Sequence, residues 1–170
     1  MTDQTTSTTG EEPLRVVLLA IDGSKHCQRA FDYYVKQLRR HNDVLLLVHA
    51  IEPPSVPGSL SVSNSGDAFL RKHAEMLEEQ IAEARRMESR WKDSCRELGM
   101  NHFSFLLVSG EPGEAICRAA EEHSADMVVM GSRGLGLLRR TFIGSVSDYV
   151  LHHAYRPVMI CPPTKREATE

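Results

Sequence analysis

The chain has 170 residues, with 20 lysines and arginines against 23 aspartates and glutamates and a formal net charge of −3. That length supports one domain with a substantial core rather than two, and the charge balance lacks the basic excess that nonspecific nucleic-acid binding requires. No stretch has the apolar length of a membrane span, and residues 1–12 carry Asp3, Glu11 and Glu12 without the layout of a signal peptide, so a cytoplasmic protein with no nucleic-acid or membrane partner is expected.

After a Thr- and Ser-rich tail over residues 1–12, expected to be disordered, the apolar run Arg15 to Ile21 has strand length. The turn at Asp22-Gly23 leads into a helix with Ser24 as its N-cap. Ala30, Phe31, Tyr34, Val35 and Leu38 recur at helical spacing, so one buried stripe runs to about Arg40. Asp43 to Ile51 is apolar on both faces, the pattern of a buried parallel strand. Residues 52–65 hold three prolines and five serines, which forbid a regular element and mark a mobile loop. From about Asp67 to Leu98, the residues Leu70, Leu77, Ile81, Ala84, Met87, Trp91, Cys95 and Leu98 follow one helix face, and Gly99 stops the helix. At 1.5 Å per residue it would run about 45–50 Å, more than a domain of this size needs, so a bend or a projecting end is expected.

His102 to Val108 reads as a third strand, Pro112 to His123 as a helix with proline in its first turn, and Asp126 to Met130 as a fourth strand. Gly144 to Ala154 reads as the fourth helix and Pro157 to Cys161 as a short fifth strand, before a charged tail over residues 164–170. This alternation predicts a single α/β domain over residues 13–163, a doubly wound five-stranded parallel sheet with helices on both faces. Val158–Cys161 falls at a sheet edge, where unpaired backbone invites a second copy, so a homodimer through that strand is expected.

The four cysteines (Cys27, Cys95, Cys117, Cys161) stand far apart with no C-x-x-C pair and read as reduced core residues. The eight histidines form no H-E-x-x-H pattern, and no metal ligand is assigned. His49, inside a buried strand, reads as a satisfied histidine rather than a base.

The densest signal follows Met127-Val-Val-Met130. Gly131-Ser-Arg-Gly134 and, nine residues later, Gly144-Ser145 put glycines where a backbone must approach something bulky, and Gly144-Ser145 opens a helix whose first amides favour a phosphate. A strand, a glycine loop and a helix start at the carboxyl ends of a parallel sheet together predict a nucleotide phosphate site. No P-loop pattern is present, and Arg139 stands where a dinucleotide fingerprint needs its third glycine, which favours a mononucleotide. Asp22, whose simpler role is to cap the first helix, is the one carboxylate the pattern brings to the crevice, so hydrolytic machinery is incomplete.

This arrangement resembles the ATP-binding branch of the universal stress protein family from about Arg15 to Pro162. The family pattern G-x2-G-x9-G-[S/T] reads here as Gly131, Gly134, Gly144 and Ser145, the first strand ends Ala20-Ile-Asp-Gly-Ser24, and the last contains Arg156-Pro-Val-Met-Ile160. The resemblance implies a Rossmann-like fold of the adenine nucleotide alpha hydrolase type and an ATP site, with or without Mg2+. In it Ala20, Ile21 and Asp22 border the adenosine, and Ala50 and Met130 flank the adenine. Gly131, Arg133 and Gly134 hold the phosphates from one side and Gly144, Ser145, Val146 and Ser147 from the other, with Arg139 and Arg140 as further counter-charges. No residue receives a catalytic role. The function so implied is a nucleotide-dependent stress-response binding module; the alternatives are a slow ATP hydrolase with Asp22 holding Mg2+ and a ligand-independent interaction scaffold. A valine at Gly131 or Gly134 is expected to abolish ATP affinity while leaving the fold intact.

Overall fold

The computed structural model describes residues 13–53, 65–132 and 143–163. Within them β1 (Arg15–Ala20), β2 (Asp43–Ile51), β3 (Phe103–Ser109), β4 (Met127–Gly131) and β5 (Val158–Cys161) alternate with α1 (Lys25–Tyr33), α2 (Ser65–Glu97), α3 (Pro112–Glu122) and α4 (Ser145–His153). All pairings are parallel, in the order β3-β2-β1-β4-β5. The expected tails and most of the expected 52–65 loop lie outside the described residues. Ser65, placed in that loop by its composition, is already helical.

Successive side chains on a strand point to opposite faces, and here both faces are covered. Val17, Leu19, Leu45, Leu47 and Val129 join Phe31, Tyr34, Met87 and Trp91 in a core on the α1 and α2 side. Leu18, Ala20, Leu46, Val48, Val128 and Met130 join Ile116, Ala119, Ala120 and Val150 in a second core on the α3 and α4 side. Each fully buried Leu, Val or Ile contributes about 1.5–3 kcal/mol relative to exposure, which explains why the three central strands carry almost no polar side chain. Phe31 and Trp91 meet edge to face, centroids 4.8 Å apart at 71°, joining α1 to α2 beneath the sheet.

The helix expected to run to Arg40 is α-helical only to Tyr33 and then widens into a π turn over Tyr34–Leu38. The Arg39 amide closes that turn on the Tyr34 carbonyl at 2.8 Å. The cause lies across the sheet, where Asp43 opens β2. Its carboxylate accepts two bonds from the Arg15 guanidinium at 2.7 Å each, one from the Tyr34 hydroxyl at 3.0 Å and one from the Arg40 amide at 2.9 Å. Arg15 also donates to the Leu38 carbonyl at 2.8 Å, so the end of the helix is drawn onto this ion pair. Burial favours the neutral acid, but the bonds from Arg15, the Arg40 amide and Tyr34 outweigh it and hold the Asp43 carboxyl below its ordinary value.

Helix α2 stops as its sequence indicates. Gly99 adopts φ +63°, and the Met100 amide reaches back to the Cys95 carbonyl at 3.0 Å, a Schellman arrangement. Its face is buried at Ala84, Met87, Trp91 and Cys95, whereas Leu70 and Leu98, expected on the same stripe, are exposed.

Candidate functional site

The chain leaves β1 toward β2 and β3, then crosses back to place β4 on the other side of β1, so the strand order reverses between β1 and β4. A crevice beyond the carboxyl ends of those two strands is where a parallel sheet receives ligands. The register Ala20↔Val48 sets Ala50 past the end of β1, level with the turn that follows it. Ala20, Ile21, Asp22, Ala50, Met130 and Gly131 are therefore brought to one end of the sheet.

Their local geometry is specific. The Ile21 amide donates to the Val48 carbonyl at 2.8 Å, and the His49 ring meets the Ile21 carbonyl through Nδ1 at 2.9 Å. A carbonyl only accepts, so Nδ1 carries the proton. His49 is thus satisfied, as its position in the strand predicts, although it is half-buried. Asp22 Oδ1 accepts from the Ser24 amide at 3.0 Å, and the Ser24 hydroxyl accepts from the Cys27 amide at 3.2 Å, capping α1 as expected. Gly23 between them has φ +78°, a conformation that costs other residues strain. Met130 is buried in the α3 and α4 core.

Gly131 corrects an expectation. A Cβ there would lie 2.7 Å from the His26 carbonyl carbon and 2.8 Å from both the His26 Cβ and the His26 oxygen. The missing side chain lets the backbone of α1 seat against the end of β4, so a valine at Gly131 disturbs the packing and does not leave the fold intact.

Across the crevice, Gly144 is the N-cap of α4, with φ −78° and ψ 159°. Its amide donates to the Ser132 carbonyl at 2.6 Å, and the Ser147 hydroxyl reaches the same carbonyl at 3.1 Å and the Gly144 carbonyl at 3.0 Å. Two bonds to one carbonyl fasten the first turn of α4 to the residue that follows β4. The amides of Ser145, Val146 and Ser147 head the helix with no acceptor four residues back inside it, and the helix dipole adds partial positive charge there. Ser145 is exposed, Val146 half-buried, and Ser147 buried with its hydroxyl turned to the backbone. Asp148 in the same turn lies 3.8 Å from His152, whose protonated form would offset its charge.

Arg133, Gly134, Arg139 and Arg140 lie outside the described residues. Ser132, which the glycine spacing did not single out, proves central to the site's geometry: it bonds to both α4 and, through its amide, the Cys161 carbonyl at 2.9 Å. Its signal in the sequence was a hydroxyl directly after the strand glycine. Its own side-chain oxygen is buried and has no hydrogen-bond partner among the described residues. Together these features fit an anionic group such as a phosphate. Among the described residues no three histidines, cysteines or acids gather to hold a metal ion. A separate groove of about 620 Å³ between the start of α1 and the second half of α2 contains none of the expected site residues. No helix among the described residues is long and apolar enough to cross a membrane.

The chain is similar to known proteins over most of its length. The sequence profile of the universal stress protein family matches residues 13–162. A Thermus aquaticus relative, the universal stress protein in the QAH/OAS sulfhydrylase 3′ region, is 37% identical over 146 residues, covering 86% of this chain and 97% of that protein. Universal stress protein UspA from Lactobacillus plantarum is similar in structure with a TM-score of 0.73 at 21% identity, over 87% of this chain and 97% of that one. A universal stress protein family protein from Arabidopsis thaliana, solved with AMP bound, has a TM-score of 0.61 at 22% identity, over 90% and 94% of the two chains. The chain belongs to the universal stress protein family.

Proposed function

We propose that this protein binds an adenine nucleotide in the crevice beyond β1 and β4, and that occupancy alters its shape or its choice of partner in a stress response. The observation that carries this reading is the start of α4, fastened at the reversal of strand order by the Ser132 carbonyl with three amides left without helical acceptors. The AMP found in the Arabidopsis relative supports the same ligand class. In this reading the adenosine lies along Ala20, Ile21, Asp22 and Ala50 beside Met130, and the phosphates lie on Gly144, Ser145, Val146 and Ser147, with Gly131, Arg133 and Gly134 opposite. ATP, with or without Mg2+, is the nucleotide that the resemblance to the family's ATP-binding branch implies.

Calorimetric titration of nucleotide-free protein with ATP and Mg2+, AMP, ADP and GTP tests the reading. Saturable binding of the adenine nucleotides is expected. Ser145→Pro is the matched control: proline is tolerated at the first helical position and removes one amide, so affinity should fall while the melting temperature holds. Absence of heat with every nucleotide would refute the reading and favour a ligand-independent scaffold.

A homodimer through β5 belongs to the same proposal. β5 is an edge strand whose Val158, Met159 and Ile160 are only half-buried, and Tyr155 just before it is 94% exposed. A monomer mass by light scattering at micromolar concentration would remove this part.

A further inference from the structure

Ile21 is the first residue past β1, and β2 holds it at both of its backbone groups. Its amide donates to the Val48 carbonyl at 2.8 Å, which carries the ladder one residue beyond the strand. Its carbonyl accepts from His49 Nδ1 at 2.9 Å, so here a side chain does the holding. By alternation His49 stands on the same face of β2 as Leu45 and Leu47, the face on which Ile21 packs toward α1 and α2. Beyond that carbonyl the chain turns at once. Asp22 Oδ1 accepts from the Ser24 amide at 3.0 Å, Gly23 has φ +78°, and a Cβ on Gly23 would lie 3.3 Å from Met87 Cε. The far side of the turn is thus set by the cap of α1 and by α2, and the near side by His49. The Ile21 carbonyl and the Asp22 amide belong to one planar peptide, so fixing the oxygen fixes the direction in which Asp22 leaves the strand.

We propose that His49 is a positioning residue of the nucleotide site, its Nδ1–H holding the Ile21–Asp22 peptide in the orientation that the adenosine moiety meets. The proposal rests on the nucleotide reading above and adds to it a residue that acts through Ile21. A group that orders a binding surface in advance lowers the cost of binding, so its loss weakens the ligand even where the fold survives.

His49→Asn and His49→Leu separate this role from packing. Asparagine carries its side-chain nitrogen as many bonds from Cα as His Nδ1 and keeps a donor there, whereas leucine removes it. Adenosine and AMP are titrated by calorimetry into wild type and both variants well below the unfolding transition, and thermal unfolding of each is followed without nucleotide. His49→Leu is expected to weaken both ligands to the same degree, about fivefold or more, while His49→Asn stays within about twofold of wild type. Should His49→Leu not fold, His49→Gln takes its place, since its nitrogen lies one bond further out than Nδ1. A donorless variant that matches wild type within about twofold, or His49→Asn as weak as that variant, would overturn the role of His49 and leave the site standing. A melting temperature lowered in both variants without the split in affinity means packing alone and overturns it equally. Should wild type bind neither ligand, the nucleotide reading fails and this role with it.

Discussion

Gly131→Ala places one methyl group between β4 and α1. The added carbon would sit 2.7 Å from the carbonyl carbon of His26 and 2.8 Å from its oxygen, whereas carbon atoms rest at about 3.5–4.0 Å. Relief therefore requires roughly 1 Å of separation at that contact. The obstacle is main chain, which cannot rotate aside as a side chain can. One residue on, Cys27 is buried, and its amide is tied to the Ser24 cap, so α1 cannot retreat without opening the core beneath it. Overpacking of this kind costs about 1–3 kcal/mol. For a chain of this length each kcal/mol lowers the melting temperature by about 2–4 °C, so a fall of about 2–12 °C is expected by far-ultraviolet circular dichroism. The start of α4 is untouched, so AMP affinity measured well below the transition should drop less than in Ser145→Pro. A melting temperature within about 1 °C of wild type would show that α1 does not seat on this glycine, and the packing argument would fall.

Two further outcomes follow from the buried polar and thiol groups. Asp43 has a folded-state pKa below its unfolded value of about 3.9, so its contribution is complete above that pH and is lost as pH falls through the lower folded value. Asp43→Asn should cost on the order of 3 kcal/mol at neutral pH and flatten the acid limb of stability below about pH 4; a parallel limb in urea titrations would refute the assignment. Burial pushes the Cys27 and Cys95 thiols up to about 11, so in the folded protein at pH 8 an aromatic disulfide reagent should reach half-buried Cys117 first and these two only on unfolding. A rapid phase consuming Cys27 or Cys95, mapped by mass spectrometry, would contradict that order.

The sheet was legible in the sequence because strands covered on both faces are apolar at every position, as in Val16-Val-Leu-Leu-Ala20 and Val44-Leu-Leu-Leu-Val48. Caps were legible where one residue suffices, as at Ser24 and Gly99. The π turn was not, because it depends on Asp43 and Arg15, which lie outside that helix in the chain and meet it only once the sheet forms. Nor could a glycine announce what approaches it. Gly131 and Gly144 share one motif, yet the first makes room for the backbone of α1 and the second turns the chain into α4. The end of the sheet at which the site residues gather followed from the order of elements. The bonding of Ser132 and Ser147 did not, since it depends on where α4 docks.

Helix α2 has 33 residues, about 50 Å at 1.5 Å per residue, and the longest strand beneath it has nine, about 30 Å. Among the described side chains its buried positions begin at Ala84, while Leu70 is 56% and Met76 44% exposed. The rooted part answers to the core, and its sequence is constrained by Trp91 and Phe31. From Phe69 to Glu83 the positions are exposed or half-buried, and Gln80 donates to the Glu52 carbonyl at 3.3 Å. Charge changes at the exposed positions of this stretch are expected to disturb the sheet little, so this end of the helix is where sequence can vary at low structural cost.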